Sequence, residues 1–349
     1  MESVPEARAA LRRRPTIRDV AREADVGVGT ASRVLSGSPH VSVPTRQRVL
    51  DAVERLGFLS SLMARGLVKG QTQTLGVLVP FFAKHYFLEI LRGVEQSASS
   101  SDYSLIIYNV EHREQAQAHL VFLARTRRVD GLLVIALSGR LISAAYPGRL
   151  ALPIVCIDTR VPGAINLSVD HKEGMYLAVQ HLIKLGHKSI ALIDRPQDPV
   201  SGTRSRARQK GYGKAHREAG LPVSDSLVVV ADYSQEGGYE AASKMLDLQQ
   251  PPTAFACGSD LQAIGVLQAV RERGLRVPAD VAATGYHDVE PAQWVGLTTV
   301  RVPAFEMGRA AVAALLETLA GRPGQPPAPF RPELVVRETS QGPDGTRSK

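Results

Sequence analysis

From Gly70 onward the sequence alternates short apolar runs with stretches of helical period, and that alternation admits few folds. The runs at 75–79, 105–108, 131–137, 154–157, 190–193, 227–230, 254–257 and 281–284 read as parallel strands buried on both faces. Amphipathic helices are expected between most of them, for example at 176–185, 239–248 and 261–273. Strands of this kind need helices above and below them, so the chain reads as a doubly wound α/β architecture. Eight or more strands over roughly 270 residues suggest two sheets, with a ligand cleft between their strand ends. A last helix at 305–320 runs into a loop at 321–329, and residues 334–337 read as a possible edge strand.

The residues before Gly70 have a different texture, and a chain of 349 residues has room for a small head beside one large domain or two medium ones. Three short helical patterns lie between Thr16 and Leu56. Thr16 with Asp19 three residues on forms a capping-box arrangement, followed at helical spacing by Ile17, Val20, Ala21 and Ala24. A second helix at 28–35 turns Ala31, Val34 and Leu35 inward and Thr30, Ser32 and Arg33 outward. The third has Ser42 as cap candidate and Pro44 in its first turn, with Val49, Leu50, Val53 and Leu56 along one side. The gap around Asp25–Gly27 is short enough for a helix-turn-helix corner.

Charge supports the same division. Residues 1–70 hold 12 Lys and Arg against 7 Asp and Glu, so five of the net +8 charges lie in the first fifth of the chain. Such a surplus suits a module that binds phosphates. Cys156 and Cys257 form neither a disulfide framework nor a metal-ligand pair, which points to a reducing cytoplasm. No apolar run follows the arginines at 8–14 and no stretch approaches a membrane span, so neither export nor membrane insertion is expected. Dinucleotide-binding and phosphate-loop glycine patterns are absent, as is a Gly-x-Ser-x-Gly elbow, and nine histidines are scattered without metal spacing. An enzyme is therefore not expected, and no cofactor or metal is called for.

Three segments of the head, 16–24, 30–37 and 41–46, resemble the head of the lac-repressor (LacI/GalR) family of bacterial transcription regulators. Further pieces match in order at 128–133, 181–187, 208–212, 280–286 and 297–300, so the resemblance spans nearly the whole chain. It implies a small all-α helix-turn-helix head at 15–58, a hinge helix at 59–70, and an effector-binding and dimerisation domain at 71–341. The last would consist of two subdomains of periplasmic-binding-protein-like architecture, about 71–160 with 292–322 and about 161–291 with 323–341. On this resemblance the second helix enters the major groove of a palindromic operator, and Arg33 can donate a bidentate pair to guanine. Thr16, Thr30, Ser32, Thr45 and Arg46 would hold phosphates or base edges, and Val28 and Gly29 occupy the operator-choosing positions. In the hinge, Ala64 and Leu67 match DNA contacts, with Leu67 as a minor-groove wedge; the alternative is a linker packed on the sensor. Two departures from the family's pattern lie at the corner. Asp25 stands where glycine is usual and Gly27 where a serine cap is usual, which weakens the turn without removing it.

The same resemblance implies effector contacts at Asp158, Arg208, Tyr233, Ser259, Asp260, His287 and Asp288. Phe82, with Phe81, Tyr86 and Phe87, follows the first strand, where these rings either line the cleft or pack the next helix against it. A carbohydrate is the expected effector. Yet Arg204 and Arg206 precede Arg208, and a rim that basic raises an acidic or phosphorylated ligand; alternatively these arginines face solvent on a loop. The tail lacks leucine heptads, so a homodimer is expected, two heads on one palindrome raising affinity through effective concentration. The rival reading is a solute-binding receptor of the same sensor fold, which would need an export signal and no DNA-binding head.

Overall fold

The computed structural model describes residues 15–36, 38–58, 71–126, 128–145, 152–196, 204–322 and 328–341. The chain divides into two compact units, Met1–Gln73 and Thr74–Lys349. The hinge segment 59–70, with Ala64 and Leu67, lies outside the described residues.

In the first unit, helices α1 (Ile17–Glu23), α2 (Val28–Leu35) and α3 (Val43–Leu56) close over a small core. The core consists of Val20, Ala21, Ala24, Ala31, Val34, Val49 and Ala52. Its size follows from its composition, because alanines bring helices close but bury little area. The capping box at Thr16 forms: Thr16 Oγ1 accepts from the Asp19 amide, and Asp19 Oδ2 accepts from the Thr16 amide at 2.8 Å. Asp25 takes up the left-handed backbone the corner requires, at φ 53°, and Gly27 stands at the N-cap of α2. Two details of the sequence reading change. Leu50 is exposed while Ala52 is buried, because the inward stripe of α3 runs through 49, 52, 53 and 56. Ser42 sits at the N-cap of α3 but donates to Thr45 Oγ1 at 2.9 Å instead of capping a backbone amide.

The second unit holds two sheets. The first has strand order β2-β1-β3-β4-β5 and is parallel throughout: β1 (Thr74–Pro80), β2 (Ser104–Val110), β3 (Gly131–Ile135), β4 (Ile154–Ile157) and β5 (Ile165–Leu167). The second has order β11-β10-β9-β8-β6-β7. Its strands are β6 (Ile190–Asp194), β7 (Val228–Val230), β8 (Ala254–Cys257), β9 (Ala282–His287), β10 (Thr298–Arg301) and β11 (Glu333–Val335). Only β11 runs antiparallel, along the edge strand β10. Helices α4 (His85–Ser99), α5 (Arg113–Thr126), α6 (Gly139–Ala145) and α12 (Ala304–Leu319) serve the first sheet. The second is served by α7 (His171–Lys184), α8 (Arg204–Glu218), α9 (Gln235–Leu246), α10 (Asp260–Glu272) and the short α11 (Glu290–Trp294).

The chain crosses between the sheets later than the sequence suggests. β5 pairs with β4, so the first subdomain continues to Leu167 and not to about 160. β10 pairs with β9 from Thr298↔Thr284 to Arg301↔His287, so residues 298–301 belong to the second subdomain. The return crossing therefore falls at Val302–Pro303, between β10 and α12. Neither short strand carries a long apolar run, and pairing with a distant neighbour decides its sheet. The third crossing lies beside the first, where Phe330 N donates to Ser168 O at 3.1 Å and Val169 bridges Phe330.

Both sheets reverse winding direction, between β1 and β3 in the first and between β6 and β8 in the second. Loops at the carboxyl ends of such strands splay apart and leave a crevice. Packing of α12 on α4 holds the first subdomain together, and it relies on Gly308, where a Cβ would stand 2.2 Å from Ile90 O. Gly308→Ala is expected to destabilise the second unit by about 1–3 kcal/mol, as overpacking does, read as a lowered urea midpoint.

Candidate functional site

In the head, the outward face of α2 carries the side chains expected to read DNA. Val28, Gly29 and Arg33 are exposed, and Thr30 and Ser32 are half-buried. The Arg33 guanidinium lies back along its own helix, donating to Gly29 O at 3.2 Å and Thr30 Oγ1 at 3.4 Å. Both acceptors are solvent-exposed, so little holds it there against a better partner. Arg46, near the start of α3, donates to Ser38 O at 2.5 Å and so ties the α2–α3 loop to the helix. Thr45 accepts from Ser42, and Thr16 is engaged in its capping box.

In the second unit a cleft of ≈ 760 Å³ lies against the carboxyl ends of both sheets. The turns after β1, β2, β6, β7, β8 and β9 all reach it, which is where the doubly wound topology places a ligand. Arg208, Tyr233, Ser259, Asp260 and His287 line it, as expected from the sequence; Phe82, Asp158 and Asp288 do not. Phe82 is 44% exposed and its neighbour Phe81, in left-handed backbone at φ 50°, takes the cleft position.

Arg208 is not an open fork. It is 1% exposed and clamps Asp194, the last residue of β6, through Nε at 3.0 Å and Nη2 at 2.8 Å. Tyr233 completes the cluster, accepting from Arg208 Nη2 and donating to Asp194 Oδ1 at 2.9 Å. Burial alone would neutralise either partner. The opposite charge outweighs it, lowering the carboxyl pKa of Asp194 and holding Arg208 above its ordinary value. Gly258 makes room for this cluster, since a Cβ there would come within 2.4 Å of Asp194 Oδ1.

A second polar chain joins the subdomains beneath the cleft. Tyr86 on α4 donates its hydroxyl to Asp158 Oδ2 at 2.6 Å, and His171 Nε2 lies 3.2 Å from the same oxygen. His171 Nδ1 in turn meets Tyr286 Oη of β9 at 3.2 Å. Asp158 thus acts through Tyr86, whose ring lines the cleft and stacks on His287 with centroids 4.3 Å apart. Burial, then repulsion by Arg208, lowers the His287 pKa well below its usual value, so this ring is neutral at pH 7. Asp288 turns away and pairs with Arg301 at 2.8 Å and Arg337 at 2.7 Å. Ser259 caps α10 by accepting from the Gln262 amide. Asp260 accepts from the Val289 amide at 2.8 Å and from Thr299 Oγ1 at 2.5 Å, and burial pushes its pKa up to about 7.

The sequence reading overlooked Asp194, Arg195, Lys84 and His171. Asp194 was legible as a carboxylate ending an apolar strand; the others carry no local signal. Among the described residues, Arg204 and Arg208 lie one turn apart on α8 and face the cleft, whereas Arg206 between them is exposed. The arginines therefore belong to a helix and not to a loop.

Comparison with known proteins agrees with this division. Residues 16–61 match the model of bacterial regulatory proteins of the lacI family, and residues 179–340 match a periplasmic binding protein-like domain. Catabolite control protein A of Priestia megaterium is 34% identical over 307 residues, 86% of this chain and 91% of its own length. This chain belongs to the lacI family. Among solved structures, a lac repressor dimer bound to operator and an anti-inducer is 28% identical with a TM-score of 0.82, covering 95% of this chain and 100% of that one. The transcriptional regulator CelR in complex with cellobiose is 29% identical with a TM-score of 0.68, covering 93% and 100%. The family's members named here are regulators and not enzymes.

Arg208→Ala is expected to cost the second unit about 3–5 kcal/mol, because Asp194 would remain charged and buried without its partner. Removing both charges, in Arg208→Met with Asp194→Asn, should cost less; comparing urea midpoints decides. Asp260 predicts a pH dependence. An unfolded aspartate ionises near 4, so between there and about 7 the folded chain holds a proton that the unfolded chain has released. Stability is then fully present below that window and falls as pH rises through it. Thermal melts from pH 5 to 8 should show wild type losing stability relative to Asp260→Asn.

Proposed function

We propose that this lacI-family regulator is a cytoplasmic homodimeric repressor. It binds a palindromic double-stranded operator through α2, and its operator affinity is set by a small molecule, a carbohydrate or carbohydrate derivative, in the cleft. The observation that carries the reading is the coexistence in one chain of an exposed α2 face bearing Arg33 and an enclosed cleft at the switch points of two sheets. Likeness to a repressor dimer bound to operator supports the dimer, and likeness to a cellobiose complex supports the effector class. The buried free thiols of Cys156 and Cys257 suit a reducing compartment, and no helix among the described residues is long and apolar enough to cross a membrane.

In this reading Arg33 swings off Gly29 O to meet a guanine edge, Val28 meets a thymine methyl, and Thr16, Thr30, Ser32, Thr45 and Arg46 set register on phosphates. Ala64 and Leu67 of the hinge would enter the minor groove at the centre of the palindrome. An effector touching both subdomains favours one closure angle. Coupling is reciprocal, so effector and operator change each other's affinity by one factor, of order 5–150.

Selection from random DNA with the full chain is expected to return a two-fold symmetric site whose affinity falls steeply with salt. Arg33→Ala should erase preference at one base per half-site, about 1–3 kcal/mol of discrimination, whereas Arg46→Ala should weaken all sequences alike. A selected site without two-fold symmetry would overturn the dimeric reading.

A further inference from the structure

Three cations that play no part in the Arg208–Asp194 cluster converge on the cleft: Lys84 from the first subdomain, and Arg195 and Arg204 from the second. Lys84 stands at the N-cap of α4 and reaches across to Tyr233 O at 3.5 Å. Its Nζ lies 6.0 Å from the centre of the Tyr233 ring, and the Arg195 guanidinium lies 5.6 Å from the same centre. Arg204 lies over Phe87 at 6.0 Å and donates to Ala136 O at 3.3 Å. Two subdomains thus present positive charge around aromatic rings inside one half-enclosed cavity.

The electrostatics of the trio are those of a site lacking a counter-charge. Burial, then Arg195, lowers the Lys84 pKa, with Asp232 opposing; burial, then Arg204, lowers that of Arg195 to about 10. Like charges held together in a partly dry cavity repel, and an anion between them relieves the repulsion. The cleft also carries Glu111, Glu114, Asp232 and Asp260. Of these, Glu111 accepts from Asn109, and Asp260 is engaged with Val289 and Thr299. Guanidinium groups suit an anion in particular, since their forked donors match phosphate or carboxylate oxygens.

We infer that the effector is an anionic small molecule, a phosphate ester or a carboxylate, whose charged group sits between Lys84, Arg195 and Arg204 and whose body rests on Phe81 and Tyr233. The inference rests on the reading of this cleft as the effector site and names the ligand's chemistry. It also moves the basic character of the rim from Arg206 and Arg208, where the sequence put it, to Lys84 and Arg195. Because the trio draws on both subdomains, the anion would itself hold the cleft closed.

The test uses the full chain and thermal melts at constant ionic strength, with inorganic phosphate replacing chloride, then with glucose 6-phosphate, gluconate and glucose. Phosphate or gluconate is expected to raise the midpoint of the second unit by about 2–4 °C at roughly ten times its dissociation constant. Lys84→Met and Arg195→Met should each weaken that anion at least tenfold, while Lys210→Met, on the exposed side of α8, should keep the response. Two variants guard against one failing to fold. A response to phosphate and glucose 6-phosphate assigns a phosphate ester, and one to gluconate alone a carboxylate. Stabilisation by neither anion, equal stabilisation by glucose and glucose 6-phosphate, or an unchanged response in both Met variants would overturn the inference. Each of these outcomes leaves operator selection untouched, so the regulator reading stands or falls separately.

Discussion

A charge removed from water inside an α/β layer must be met by another, and in the second subdomain Arg208 and Asp194 meet each other. Much of the cleft is arranged around that requirement. Asp194 ends β6, Arg208 projects from α8, and their pairing fixes this helix against the sheet at the switch point where a ligand is expected. Tyr233 is drawn into the cluster from the turn after β7, and residue 258 can only be glycine without a shift of its neighbours. The flat wall of Tyr233 and the positions of Arg195 and Arg204 on either side of Arg208 in the chain follow from the same pair.

The two subdomains are coupled by polar contacts that are few and specific. Tyr86 and Asp158 come from the first, His171 and Tyr286 from the second, and the Tyr86 ring carries the connection to the cleft by stacking on His287. Lys84 adds a contact to Tyr233 O at the rim. Asp288, with Arg301 and Arg337, braces the second subdomain near its return crossing. A ligand that alters any of these contacts changes how the two sheets face one another, and a device of this kind can pass a binding event along the chain.

Much was legible in the sequence because local pattern carries it. The alternation after Gly70 determined two parallel sheets with their ligand crevice, since a strand apolar on both faces can be covered only by helices. The Thr16–Asp19 box, the left-handed turn at Asp25 and the spacing of Val20, Ala31, Val34 and Val49 determined the three-helix head. Five of the eight effector positions line the cleft because they end strands or begin helices at the switch points. Periodicity fails where a strand is short and polar, as at β5 and β10, and there the subdomain crossings shifted.

What only the tertiary structure decided is which distant polar groups meet. Arg208 could as well have faced a ligand as Asp194, and Asp288 the cleft as Arg301; neither choice has a local signature. Lys84 reaches a carbonyl 149 positions away in the chain. Local spacing settles which face of an element is buried, because burial is averaged over several side chains of one helix or strand. A hydrogen bond or ion pair is a single contact of fixed length, and its partner is chosen by how whole elements pack.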